Sequence, residues 1–154
     1  VKKIYLPPYF RGAETNFQAD IALVIVTNKF ELNKYMMPVA GWGLTAAHGN
    51  PSPVLRVVEL PFVDVGTCYI NSPADFRKFI TPDKFCAGTL QFCRGDSGGG
   101  LVFADIQRAT ERYYLRGVAS AAPRSDAACN TAAYTTFTQL SKHEHFIKQY
   151  WIES

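Results

Sequence analysis

No apolar run in this 154-residue chain reaches membrane-spanning length, and its opening residues lack a signal-peptide pattern. The chain is therefore expected either to be mature or to be missing its beginning. There is no Cys-x-x-Cys pair, which removes the usual ligand spacing of a zinc site. There is no usable Asn-x-Ser/Thr sequon, because proline disqualifies Asn50-Pro-Ser. Repeats and low-complexity tracts are also absent. The net charge of +3 is small and scattered, so neither nucleic acid nor a membrane is expected as a partner. Charged residues reach only 19% against 47% hydrophobic, which excludes intrinsic disorder and suits one domain or part of a larger one.

Four cysteines are present, and with zinc spacing excluded they point to two disulfides and an oxidising, extracellular compartment. The remaining pattern is one of short strands. Ile21 to Val26 is a continuous apolar run, expected to be a strand buried on both faces. Val54 to Leu60, interrupted by Arg56 and Glu59, suits a strand with one wet face. Leu101 to Ala104, Tyr113 to Ala119 and Ala132 to Phe137 are further strand candidates, rich in β-branched and aromatic residues. Turn-forming clusters such as Gly49-Asn-Pro-Ser-Pro53 separate them. A capping box from Ser141 to Glu144 predicts one helix, with Phe146, Ile147, Tyr150 and Trp151 as its apolar face. The fold class is all-β, a barrel or sandwich closed by a C-terminal helix.

Chemistry concentrates in Cys93-Arg-Gly-Asp-Ser-Gly-Gly99. A serine in a glycine-dense turn leaves its hydroxyl open to approach and places backbone N–H groups where an acyl-transfer oxyanion would need them. The stretch also satisfies Gly-x-Ser-x-Gly, the strand-to-helix elbow of α/β-hydrolases, with Asp105 or Asp126 and His143 or His145 following in order. That framework requires a helix directly after Ser97. Gly98-Gly-Gly100 followed by Leu101-Val-Phe103 is a poor helix and a good strand, and alternating β and α segments are lacking.

Gly95-Asp-Ser-Gly-Gly99 resembles the nucleophile motif of trypsin-like serine endopeptidases, with Gly100 in place of the usual proline. Asp20-Ile-Ala-Leu23 resembles the segment carrying that family's catalytic aspartate, and Ala40-Gly-Trp-Gly43 the strand that opens its second barrel. Leu60-Pro61 with Cys68, Phe85-Cys-Ala-Gly88, Gly117-Val-Ala-Ser120 and Tyr134-Thr-Thr-Phe137 follow in family order. The resemblance implies a double six-stranded antiparallel β-barrel with a C-terminal helix, the first barrel only partly present. Residues 1–39 would end the first barrel, 40–138 form the second, and 139–154 form the closing helix. It also implies disulfides Cys68–Cys86 and Cys93–Cys129, while Phe103 stands where many members carry a further disulfide partner.

The resemblance implies these roles. Ser97 attacks the scissile carbonyl, and the N–H groups of Gly95 and Ser97 form the oxyanion hole. Asp20 orients a catalytic histidine, with Ser120 beside it. Gln91, Ser120, Ala122 and Ala132 line the substrate pocket. Asp96 resembles the acid that receives the new N-terminal amine on zymogen cleavage. The neutral amide of Gln91 and the methyl groups of Ala122 and Ala132 predict preference for a medium-sized uncharged side chain. No cofactor or metal is implied. Arg94-Gly-Asp96 spells an integrin-type tripeptide, but its place inside the nucleophile motif makes that a coincidence.

The histidine itself is not in family order. Leu44-Thr-Ala-Ala-His48 nearly copies the motif of the catalytic histidine, but Gly49 follows it where the family has cysteine, and it comes after Asp20 where the family's histidine comes before. The corresponding family position is a surface loop, so His48 is not expected to be catalytic. His143-Glu-His145 reads as a polar helix face and not as a metal site. Val1 lies too close to Asp20 to be the inserted N-terminus, Met37-Pro-Val39 joins Ala40 without the family's connecting stretch, and the loop from Gly88 to Cys93 is short. The expectation is a secreted serine endopeptidase domain lacking the segment that bears its histidine, and inactive alone. A histidine-bearing N-terminal chain or segment, protein substrates and serpin-type inhibitors are the partners implied. Arg11-Gly-Ala-Glu-Thr-Asn-Phe17 and Tyr113-Tyr-Leu-Arg-Gly117 most resemble arthropod haemolymph modular proteases of immune cascades. The alternatives are a non-catalytic protease homologue acting as a binding or regulatory module, and a fragment released by proteolysis.

Overall fold

The computed structural model describes residues 1–28, 40–41, 43–44, 50–54, 56–88, 92–93, 96–107, 110–123, 129–130 and 133–151. Its elements run β1 (Lys3–Tyr5), β2 (Leu23–Ile25), β3 (Ala40–Gly41), β4 (Arg56–Val57), β5 (Phe62–Val63), α1 (Val65–Asn71), β6 (Lys84–Ala87), β7 (Phe92–Cys93), β8 (Gly100–Gln107), β9 (Thr110–Ala121), β10 (Cys129–Asn130), β11 (Thr135–Gln139) and α2 (Glu144–Tyr150). Short 3-10 turns cover Gly12–Thr15, Arg77–Phe79 and Leu140–His143. Among the described residues every strand pairing is antiparallel. The main sheet has the order β5-β6-β11-β9-β8, and β1-β2, β3-β4 and β7-β10 form separate ribbons. Antiparallel strands with one C-terminal helix make this a partial trypsin-like β-barrel fold.

The core lies against β11. Ala87, Leu101, Ala119 and Phe137 are buried together, with Leu60 and Phe85 packed against them. The rings of Phe85 and Phe137 stack with centroids 5.6 Å apart. Gly117 makes room for that stack, since a Cβ there would meet the Phe85 ring at 2.7 Å. Thr135 to Thr138 are all buried, although a threonine run would ordinarily expose half its side chains. Two of the three hydroxyls have partners across the sheet or from Asp20: Thr136 donates to the Ala121 carbonyl at 3.0 Å and Thr138 to the Asp20 carbonyl at 2.9 Å. Those bonds offset the cost of burying these two hydroxyls.

Four expectations need correction. The run Ile21 to Val26 contributes only β2, which among the described residues pairs with β1 alone; Val24 is 50% exposed, so this strand is not buried on both faces. The Ser141–Glu144 capping box does not form: the chain enters α2 through a 3-10 turn, Ser141 accepts from the Gln139 side chain, and Glu144 pairs with Lys148 one turn on. Phe146 is buried and Tyr150 stacks on Tyr5 of β1, but Trp151 ends the helix in extended backbone and is exposed. α1 has no counterpart in the strand-dominated reading. It starts where the Asp64 carboxylate accepts the Thr67 N–H at 2.9 Å, a local cap followed by no long apolar stripe.

Candidate active site

The glycines around Ser97 set the shape of its turn. Gly98 has φ +82°, a left-handed conformation that a side chain would strain. A Cβ on Gly99 would sit 2.9 Å from the Asp96 carbonyl, which instead accepts the Gly99 N–H at 3.0 Å. The turn is stitched to β9 by two backbone bonds, Gly98 N–H to the Ala119 carbonyl at 3.0 Å and Ala119 N–H to the Gly99 carbonyl at 2.8 Å. Ser97 stands exposed at its tip. The Asp96 carboxylate accepts the Gly43 N–H at 3.1 Å, and a Cβ on Gly43 would overlap that carboxylate. The second glycine of Gly41-Trp-Gly43 is thus required by contact with the residue next to Ser97.

Asp20 reaches the same stretch of β9 from the other end of the chain. Its Oδ2 accepts the Ser120 hydroxyl at 2.8 Å, and its carbonyl is held by Thr138. Ser120 adjoins Ala119, the residue that anchors the Ser97 turn. Two neighbouring positions of β9 therefore bring Asp20 and Ser97 to one region, although they lie 77 positions apart in sequence. The half-buried Ala122 follows directly at the end of β9. Gln91, Gly95, Ala132 and His48 lie outside the described residues.

Cys68 and Cys86 are joined with Cα atoms 6.3 Å apart, tying α1 to β6. The β7–β10 register sets Cys93 directly opposite Cys129. Directly opposed antiparallel positions have the Cα spacing that a disulfide requires.

His145 is exposed on α2. His143 does not lie on a polar face as expected; it is 4% exposed, with Nε2 donating to Asp83 Oδ2 at 2.8 Å and Nδ1 3.4 Å from the Tyr9 hydroxyl. Its ring nitrogens face Asp83 and Tyr9, so His143 is held by that pair and not by Asp20 or Ser97. Burial alone would raise the Asp83 carboxyl. Hydrogen bonds from His143, Thr81 and Ala19, with the electrostatic attraction of His143, outweigh burial and hold it well below the usual carboxylate range. Burial, only partly offset by Asp83 and Asp20, lowers the Lys84 ammonium. Sequence reasoning missed this network; its one local sign was the turn-forming Thr81-Pro-Asp83.

The partial β-barrel fold, with a serine turn and an anchored aspartate held at adjoining residues of β9, has a trypsin-type arrangement. The Trypsin family model matches residues 1–147, and the chain belongs to that family. It is 30% identical to clotting factor C of Tachypleus tridentatus, over 96% of this chain and 17% of that protein. It is equally similar, at 30%, to chymotrypsin-like elastase family member 1 of Canis lupus familiaris, over 93% of this chain and 60% of that protein. Identity to mannan-binding lectin serine protease 1 of Mus musculus is 30%, over 78% and 19%. The chain spans less than two thirds of each of these relatives.

Proposed function

We propose that this chain forms part of the catalytic domain of a secreted serine endopeptidase, which hydrolyses peptide bonds through a Ser/His/Asp triad and an acyl-enzyme. The observation that carries this reading is the convergence of Asp20 and the Ser97 turn on Ala119 and Ser120 of β9. Ser97 Oγ attacks the scissile carbonyl, and the N–H groups of Ser97 and Gly95 stabilise the oxyanion. Asp20 orients a histidine that takes the serine proton and returns it to the leaving amine. That histidine comes from a segment or chain outside these residues. Gln91, Ser120, Ala122 and Ala132 line the substrate pocket, and Asp96 is the acid linked to zymogen activation. Cys93 and Cys129 form a second disulfide. The Cys68–Cys86 bridge supports secretion, since such bonds persist in oxidising compartments. Similarity to a clotting factor and a mannan-binding lectin serine protease supports action on protein substrates within a proteolytic cascade.

Fluorophosphonate labelling tests the reading. The complete natural protein is expected to be labelled at Ser97, and the isolated 154-residue chain is not. Intact mass before and after reduction reports whether a second polypeptide accompanies it. Rapid labelling of the isolated chain would return His48 to the site. A complete protein that resists labelling would instead be a non-catalytic homologue that binds partners through the same fold.

A further inference from the structure

The network around Asp83 has a geometry that bears on Asp20. Asp83 Oδ2 accepts the Ala19 N–H at 2.9 Å and the His143 ring N–H at 2.8 Å, while Oδ1 accepts the Thr81 hydroxyl at 2.6 Å. The Tyr9 hydroxyl backs the ring. The Lys84 ammonium donates to the carbonyls of Asn16 at 3.5 Å and Phe79 at 3.3 Å. Phe17 lies against Phe79. These contacts bind the turn before Asp20 to the segment that leads into β6.

That turn is strained. Asn16, Phe17 and Ala19 have φ of +52°, +57° and +58°, a left-handed conformation that asparagine tolerates but that phenylalanine and alanine adopt only when their surroundings impose it. Ala19 is fully buried and immediately precedes Asp20. A buried carboxylate is a costly way to hold one N–H group, and its use here places a strong acceptor where the backbone is least willing to stay.

We propose that Asp83, itself fixed by His143 and Thr81, is a positioning residue for Asp20: by holding the Ala19 N–H it sets the left-handed turn that aims the Asp20 carboxylate at Ser120 and at the triad histidine. The inference rests on the peptidase reading given above. Asparagine at position 83 preserves the arrangement, because its carbonyl can face Ala19 and His143 while its amide donates to Thr81 Oγ1. Leucine preserves none of it.

The test uses the complete protein with Asp83→Leu and Asp83→Asn, measuring kcat, KM, melting temperature and hydrogen exchange over residues 12–20. Asp83→Leu should lower kcat about tenfold or more with KM within about threefold, because misaligned catalytic groups slow chemistry more than binding. Exchange in the turn should rise about tenfold, and Asp83→Asn should restore both to within about threefold. Unchanged kcat and exchange in a folded Asp83→Leu protein would overturn the proposal. So would a kcat that falls only in step with melting temperature and is not restored by asparagine, since that marks a purely structural role. If Asp83→Leu does not fold, His143→Phe serves in its place, with about a fivefold rise in turn exchange and a fall in kcat expected; no change in either overturns it. A wild-type protein that hydrolyses no peptide refutes the peptidase reading, and the turn exchange of the same variants then decides separately whether Asp83 holds Ala19.

Discussion

The Ser120 hydroxyl donates to Asp20 Oδ2 at 2.8 Å, joining two residues 100 positions apart in the chain. The bond matters because it leaves the carboxylate a defined direction in which to meet a second donor, the histidine ring of the proposed triad. Loss of the carboxylate charge should be far more damaging than loss of the hydroxyl. In the complete protein Asp20→Asn is expected to lower kcat by about 10⁴, through the wrong histidine tautomer. Ser120→Ala should cost roughly tenfold, the scale of one hydrogen bond to a charged group. Steady-state kinetics on the two variants checks this, and equal losses would contradict the assignment.

A second prediction separates the histidines. His48→Ala should change turnover of the complete protein by less than about threefold, well under 1 kcal/mol of barrier. Ser97→Ala should lose several orders of magnitude, because it removes the nucleophile. A comparable collapse in both variants would make His48 the base.

Substrate preference follows from the proposed pocket. With a neutral Gln91 and the methyl groups of Ala122 and Ala132, cleavage after a medium-sized uncharged residue such as leucine should exceed cleavage after arginine or lysine by about tenfold or more, on the order of 1.4 kcal/mol. Profiling against a peptide library decides. Dominant cleavage after arginine would refute the pocket assignment and would point to a carboxylate outside it, with Asp126 the candidate in the sequence.

Acid stability offers a check on Asp83 that needs no substrate. Its folded-state carboxyl titrates below the unfolded range, so the native state gains stability above about pH 4 and loses it as the pH falls further. Between pH 5 and pH 2 the wild type should lose roughly 1–2 kcal/mol more than Asp83→Asn, whose side chain does not titrate. Denaturant unfolding at several pH values measures the difference, and parallel curves would show that Asp83 is not held as described.

The family order of short motifs was legible because each motif answers a local requirement. A glycine must follow Ser97 wherever the backbone turns left-handed, and Gly43 must lack a side chain wherever Asp96 approaches it. The apolar strands β8, β9 and β11 were also recognisable, since β-branched and aromatic runs suit a pleated surface whatever their neighbours. Other features depended on contacts between distant segments. The buried His143 looked like a surface residue because its partners, Asp83 and Tyr9, lie 60 and 134 positions away in sequence. The capping box failed because the backbone before α2 took a 3-10 course, leaving Ser141 to the Gln139 side chain. The sequence by itself determined which residues are candidates for chemistry and the order in which they come, because side-chain type and turn geometry are local properties. Only the tertiary structure decided that Asp20 and Ser97 share neighbouring positions of β9 and that a buried carboxylate holds the turn before Asp20, because hydrogen bonds between segments form only after packing has excluded water and left each buried donor to find its partner.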